Sequence, residues 1–199
     1  LHAISKVEGA RWENLSPLAF CESYGAYDPN ARHRLRENRR KPMTVEPWRL
    51  PHVVEHTTLL LDSFERVVGR SLLANLAETP EVRAQQLFGA PLIVVSHGTE
   101  ADPIFNYGNQ RALELWETNW DAMTQMPSRL TAEPMNREER SHILLETARQ
   151  GYVEGYCGVR ISTTGQRFRI LDVIIWNLLD GAGIKRGQAA TYTRIELLK

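Results

Sequence analysis

The sequence is short of most features that mark an enzyme, a membrane protein or a stapled secreted fold. Its only cysteines are Cys21 and Cys157, so at most one bridge can form and no disulfide framework holds the chain together. Its longest apolar runs, PLIVV and VIIWNLL, fall far below the roughly 20 residues that cross a bilayer as a helix. It has no charge excess: Lys+Arg and Asp+Glu each number 24. A neutral chain exerts no global attraction on nucleic acid or on an anionic membrane. A P-loop, a G-x-G-x-x-G turn, an H-E-x-x-H helix and paired C-x-x-C motifs are all missing, which leaves nucleotide, dinucleotide and metal chemistry without a recognisable cradle. There is no internal repeat and no low-complexity stretch.

What is present is the composition of a globular protein, 42% hydrophobic and 24% charged over 199 residues. Residues 1–47 differ from the rest and read as an extended basic N-terminal arm. Between 31 and 42 the arm carries Arg32, Arg34, Arg36, Arg39, Arg40 and Lys41 against the single acid Glu37. Such a run is a solvated tail or a surface that pairs with carboxylates. Trp12, Phe20, Tyr24 and Tyr27, with Leu15 and Leu18, are the residues that could anchor it to a partner, because ordering a weakly apolar segment costs about 1–2 kcal/mol per residue.

Residues 48–89 form a helical lead-in. Val53, Leu60, Phe64, Val67 and Val68 recur at helical spacing, with Pro51 at the start and Gly69 at the end. A shorter helix has Thr79 as its cap, Pro80 in its first turn and Gly89 as its stop. From residue 90 the texture changes. APLIVVSHG and PIFNYGN read as strands, and Asn109 caps the helix QRALELWE immediately after the second. NWDAMTQM is one more short helix, ended by Pro127. NREERSHILLETARQG is a helix with Asn136 and Glu139 as a capping box and Gly151 as its stop. The last third is sheet: YVEGYCGVRIS, QRFRILDVIIWNLL and GQAATYTRIELL, joined by turns at Thr-Thr-Gly and Asp180-Gly181. In the long strand Phe168 and Ile170 alternate inward, and Val173 and Ile175 resume one place out of step. A bulge near Leu171-Asp172 accounts for the slip.

Two strands, a run of short helices and three more strands give an α+β fold. The expected architecture is a PAS-like five-stranded antiparallel sheet with helices on one face, preceded by the helical segment and the arm, so that residues 90–199 form the PAS-like domain. VVSHGTEADPIFNYGNQRALELWE, PSRLTAEPMNREER, GYCGVRIS, GQRFRI, WNLLD and GQAAT, taken in order, resemble the MEKHLA-domain family over roughly residues 48–197. That family is a PAS-like module found alone in bacteria and algae and at the C-terminus of certain plant homeodomain-leucine-zipper factors. Neither a homeodomain nor a zipper is present here. The resemblance implies a fold and a sensory or interaction role, and brings no catalytic residues.

PAS domains often hold a small molecule between sheet and helices. Tyr107, Trp116, Trp120, Phe168, Trp176, Asn177 and Gln188 are the candidate lining of such a cleft, although aromatic residues at these spacings are more often plain core. Asn177 and Gln188 need buried partners, from backbone or ligand. A flavin adduct of the light-oxygen-voltage kind would need a cysteine around PSRLTAEP, which has none. Haem would rest on His142 alone. Ser96, His97 and Asp102 lie too close in sequence for a triad to be assumed, and adjacent Glu138 and Glu139 diverge by about 100° on a helix. Hence no enzyme activity, no metal, no nucleic-acid partner and no resident cofactor are expected, with room left for a non-covalent small ligand. The leading expectation is a non-catalytic interaction module that docks through its arm onto a larger protein assembly. The start at Leu1 and the family's algal distribution suggest a plastid or photosynthetic complex, peripheral to a membrane, with the protein soluble in the stroma or otherwise in the cytoplasm. The alternative is a ligand-binding sensor.

Overall fold

The computed structural model describes residues 46–133 and 137–198. The arm anchors Trp12, Phe20, Tyr24 and Tyr27, the basic residues Arg32, Arg34, Arg36, Arg39, Arg40 and Lys41, and the Asn136 cap lie outside the described residues. The lead-in begins with a 3₁₀ turn, Pro47–Arg49, followed by α1, Pro51–Val68, and α2, Pro80–Phe88. The amphipathic stripe of α1 behaves as its spacing dictates: Val53, Leu60, Leu61 and Phe64 are buried. Gly69 closes the helix at φ 81°, its N–H donating to the Glu65 carbonyl at 3.0 Å, a conformation that costs glycine least. The Thr79 hydroxyl caps α2 by accepting from the Val82 N–H at 3.4 Å.

The sheet that follows is antiparallel, in the order β2-β1-β5-β4-β3, with a sixth strand on β4. Its members are β1, Ile93–His97; β2, Phe105–Gly108; β3, Tyr152–Ile161; β4, Arg167–Leu179; β5, Lys185–Tyr192; and β6, Arg194–Leu198. The first strands join the last, as expected: β1 pairs with β5 from Ile93↔Tyr192 to His97↔Gln188. Between β2 and β3 the chain forms α3, Gln110–Leu115, α4, Trp120–Met123, a 3₁₀ turn at Ser128–Thr131, and α5, Arg137–Gln150.

One expected strand is two. GQAATYTRIELL is interrupted at Thr193, and both halves pair with β4 in a register that continues across the interruption, Ile174↔Thr191 on one side and Leu171↔Arg194 on the other. The interruption lies beside Asp172, which adopts a left-handed φ of 52°. Opposite it, β3 also slips register between Val153 and Tyr156, where Gly155 sits at φ 73°. The irregularity inferred near Leu171-Asp172 is therefore shared by three strands. It keeps Phe168, Ile170, Val173 and Ile175 all buried despite the change of phase.

The sheet is covered on both faces. The helices between β2 and β3 take one face, and α1 takes the other. Trp176 on β4 turns toward α1, donates from Nε1 to Ser63 Oγ at 3.1 Å and meets Phe64 edge-on at 4.9 Å between ring centroids. This is why β4 ends as a run of buried residues, Ile175 to Leu178, rather than as an alternation.

The abrupt strand-to-helix junction at Gly108-Asn109 is held by one side chain. Asn109 is fully buried. Its Oδ1 accepts from the Ala112 N–H at 3.2 Å, capping α3, and from the Val94 N–H at 3.1 Å, while its Nδ2 donates to the Leu92 carbonyl at 2.7 Å. The same amide starts the helix and ties it to β1.

Candidate functional site

Between the sheet and the cover helices lies a cavity of about 60 Å³. Its walls are mostly apolar: Val95 and Phe105 from the first strands, Ile170, Val173 and Ile175 from β4, Ile143 and Leu144 from α5. Set into them are His97, Trp116, Arg140, Arg160, Gln188 and Tyr192. A space of this size holds water or a small organic molecule, since one water needs about 10–15 Å³. It lies well below the several hundred Å³ that drug-sized ligands occupy, so neither a flavin nor a haem fits it as it stands.

The polar residues are positioned by strand alternation and by α5. Tyr156, Gly158 and Arg160 occupy one face of β3, opposite Val173, Ile170 and Phe168 of β4. Arg160 is 7% exposed. Its Nη2 donates to Tyr156 Oη at 3.2 Å and its Nη1 to the Val159 carbonyl at 2.9 Å, with the guanidinium 5.6 Å from the Tyr156 ring centroid. Arg140 enters from α5, 8% exposed, and donates to Ser128 Oγ at 2.6 Å. Two guanidinium groups thus share the lining of one small cavity.

Several polar atoms of the lining residues are buried without hydrogen-bond partners: His97 Nε2, Trp116 Nε1 and Tyr192 Oη. His97 Nδ1 lies 2.9 Å from the Gly98 carbonyl. A carbonyl only accepts, so Nδ1 carries the proton and Nε2 is a bare acceptor. Burial holds the imidazole down at about 4; Arg140 and Lys185 push the same way, while the Gly98 bond and Glu100 oppose. Burial likewise raises the Tyr192 phenol far above its ordinary range, so it stays a neutral hydroxyl.

Of the residues nominated from the sequence, Trp116 and Gln188 line the cavity. Phe168 packs edge-on against Trp116 at 5.5 Å. Asn177 sits beside Gln188, whose Nε2 donates to Asn177 Oδ1 at 3.1 Å and to the Leu144 carbonyl at 2.9 Å. Asn177 Nδ2 donates to the Thr147 carbonyl at 3.0 Å. The partners of both amides are backbone and each other, and together they pin α5 to the sheet. Tyr107, Trp120 and Trp176 are elsewhere. Trp176 packs under α1, and Tyr107 stacks edge-on with Trp120 at 5.9 Å, next to His56 at 5.9 Å. His97, Arg140, Tyr156, Arg160 and Tyr192 were missed. A signal for Arg160 existed: the inward face of GYCGVRIS reads Tyr, Gly, Arg, with an arginine where an apolar side chain belongs.

Ser96, His97 and Asp102 enter three separate networks. Ser96 Oγ donates to Asn106 Oδ1 at 2.6 Å and accepts from His56 Nε2 at 2.8 Å, His97 bonds Gly98, and Asp102 pairs with Arg129 at 2.9 Å. His142 is exposed on α5, and Cys157 is exposed on β3. Among the described residues no group of three His, Cys, Asp or Glu side chains could hold a metal ion, and no helix is long and apolar enough to cross a membrane.

Solved structures share this fold. A PAS domain from Colwellia psychrerythraea superposes with a TM-score of 0.50 at 13% identity, covering 59% of this chain and 95% of its own. An RNA-binding light-oxygen-voltage receptor gives 0.51 at 16% identity over 62% of this chain, which spans about a third, 35%, of that receptor. These likenesses establish the PAS-like fold. No curated protein matches the chain. The description of the MEKHLA domain matches residues 54–197, from within α1 to the end of β6, a stretch that takes in both layers around the sheet and every wall of the cavity, and the chain accordingly belongs to the MEKHLA-domain family.

Proposed function

We propose that this domain is a sensor that holds a small ligand between its sheet and cover helices. One observation carries the reading: a cavity of about 60 Å³ whose lining residues include buried polar atoms with no partner. Native structures leave few such atoms, because each costs about 1–3 kcal/mol. A ligand that met them would bind without remodelling the core. Occupancy would be reported through α5, which contributes Arg140, Ile143 and Leu144 to the wall and is fastened to the strands by Asn177 and Gln188. The test is native mass spectrometry of the purified chain, followed by a thermal-shift screen of small metabolites. A bound mass of small-molecule size, or a saturable rise in Tm, is expected. A chain that carries nothing and responds to nothing refutes the reading.

A second reading, docking onto a larger protein assembly through the basic arm, is supported by the six basic residues between 31 and 42. Deleting residues 1–45 should then leave a folded domain that no longer co-purifies with its partner. Retained co-purification would end that idea.

A further inference from the structure

Resting on the sensor reading, we infer that the ligand is a short-chain carboxylate, with Arg160 as its principal anchor. Arginine stays ionised in proteins, and a buried cation is normally paired with an anion. Arg160 is 7% exposed, yet none of the ion pairs among the described residues includes it. Its partners are a phenol, a carbonyl and an aromatic face. These orient a guanidinium without neutralising it. The natural complement to its planar fork is a carboxylate.

The surroundings make room for that complement. Gly158 lies between Tyr156 and Arg160 on the same face of β3, and a Cβ there would overlap Tyr156 Oη and come within 2.9 Å of Arg160 Nη1. The absent side chain lets both groups fold over the strand toward the cavity. Arg140, from α5, adds a second guanidinium to the lining, and Trp116 and Tyr192 bring an indole N–H and a hydroxyl that lack partners. Most of the remaining wall is aliphatic or aromatic, with Ser96, His97, Thr131 and Gln188 as its polar members, and that suits a short hydrocarbon chain better than a strongly hydrated anion such as phosphate. At about 10–15 Å³ for each water, the space of about 60 Å³ holds about four to six waters, and so an acid of about four to six non-hydrogen atoms, or two to four carbons.

The test compares acids with neutral molecules of the same shape on the full chain. Calorimetry and thermal shift are run with acetate and propionate, with acetamide and propionamide, and with inorganic phosphate. Saturable binding of a carboxylate, at least about tenfold tighter than its amide, is expected. Arg160→Met should abolish that preference while leaving the ligand-free Tm unchanged or raised, because it removes an unpaired buried charge; a purely structural Arg160 would instead show a lowered Tm. Arg160→Lys should retain weak binding, since it keeps the charge and loses the fork. If Arg160→Met does not fold, the acid-to-amide ratio on the unaltered chain decides alone. Amides that bind as tightly as acids would overturn the carboxylate assignment and leave the ligand pocket standing. Phosphate binding tighter than either acid would overturn it as well. Failure of every probe, with no bound mass in the native spectrum, would remove both inferences together.

Discussion

The two faces of the sheet are built from the same strands and solve different problems. The α1 face is a conventional core. Trp176, Phe64, Leu60 and Val53 are buried within it, Trp176 bonds Ser63 and His56 bonds Ser96, and only the neutral hydroxyls of Thr57 and Tyr107 are left there without partners among the described residues. The cover face buries two arginines, a neutral histidine and two phenols around a void, and leaves hydrogen bonds unmade. A residue chosen only for stability would not be placed there. What separates the two faces is buried charge: the cover face places guanidinium groups around an open space, and the α1 face packs neutral side chains.

That contrast can be broken in four measurable ways. The largest effect is expected on the α1 face: Trp176→Ala removes a fully buried indole and its bond to Ser63, and should cost about 3–5 kcal/mol in urea unfolding. A small loss there would show that α1 is not integral to the core. Acidification samples both faces, through His56 on one and His97 on the other, each held down at about 4 chiefly by burial, with His52 also lowering His56. Their unfolded values lie near 6.5, so between about 6.5 and 4 the unfolded chain binds more protons than the folded one. Stability should be fully present above 6.5 and fall as pH drops through that window, by on the order of 1–3 kcal/mol for each histidine. Chemical denaturation at a series of pH values checks it, and His56→Gln or His97→Gln should each remove one share of the dependence. Gly158→Ala acts on the cavity alone. It pushes aside the flexible ends of Tyr156 and Arg160, and should cost about 1 kcal/mol while weakening ligand-induced shifts in Tm. The smallest effect is expected for Arg160→Met without ligand, within about 1 kcal/mol of the unaltered chain or on the stable side. A large destabilisation would place Arg160 with the α1-face residues as a structural group and erase the contrast.

Several features were legible in the residues. Caps at Thr79 and Asn109, the stop at Gly151 and the change of phase after Ile170 lie where local chemistry puts them. They depend on neighbours a few positions away, which sequence spacing reports faithfully. The division of the last strand at Thr193 was not legible, because its cause is Asp172, which lies on another strand. The nominated aromatic residues scattered between the two faces for a related reason. Trp116 and Trp176 are equally apolar, and only the layer above each decides whether it meets a void or a helix.

By itself the sequence determined the elements, their order and the antiparallel closure of the first strands onto the last, since these follow from periodicity, caps and turns. The tertiary structure decided which inward-facing residues share a cavity. Arg140, Arg160, His97 and Tyr192 come from four elements spread over nearly a hundred residues. Alternation can turn each of them inward, but only the packing of α5 across the sheet brings two guanidinium groups to one small space, where no anion among the described residues pairs with Arg160.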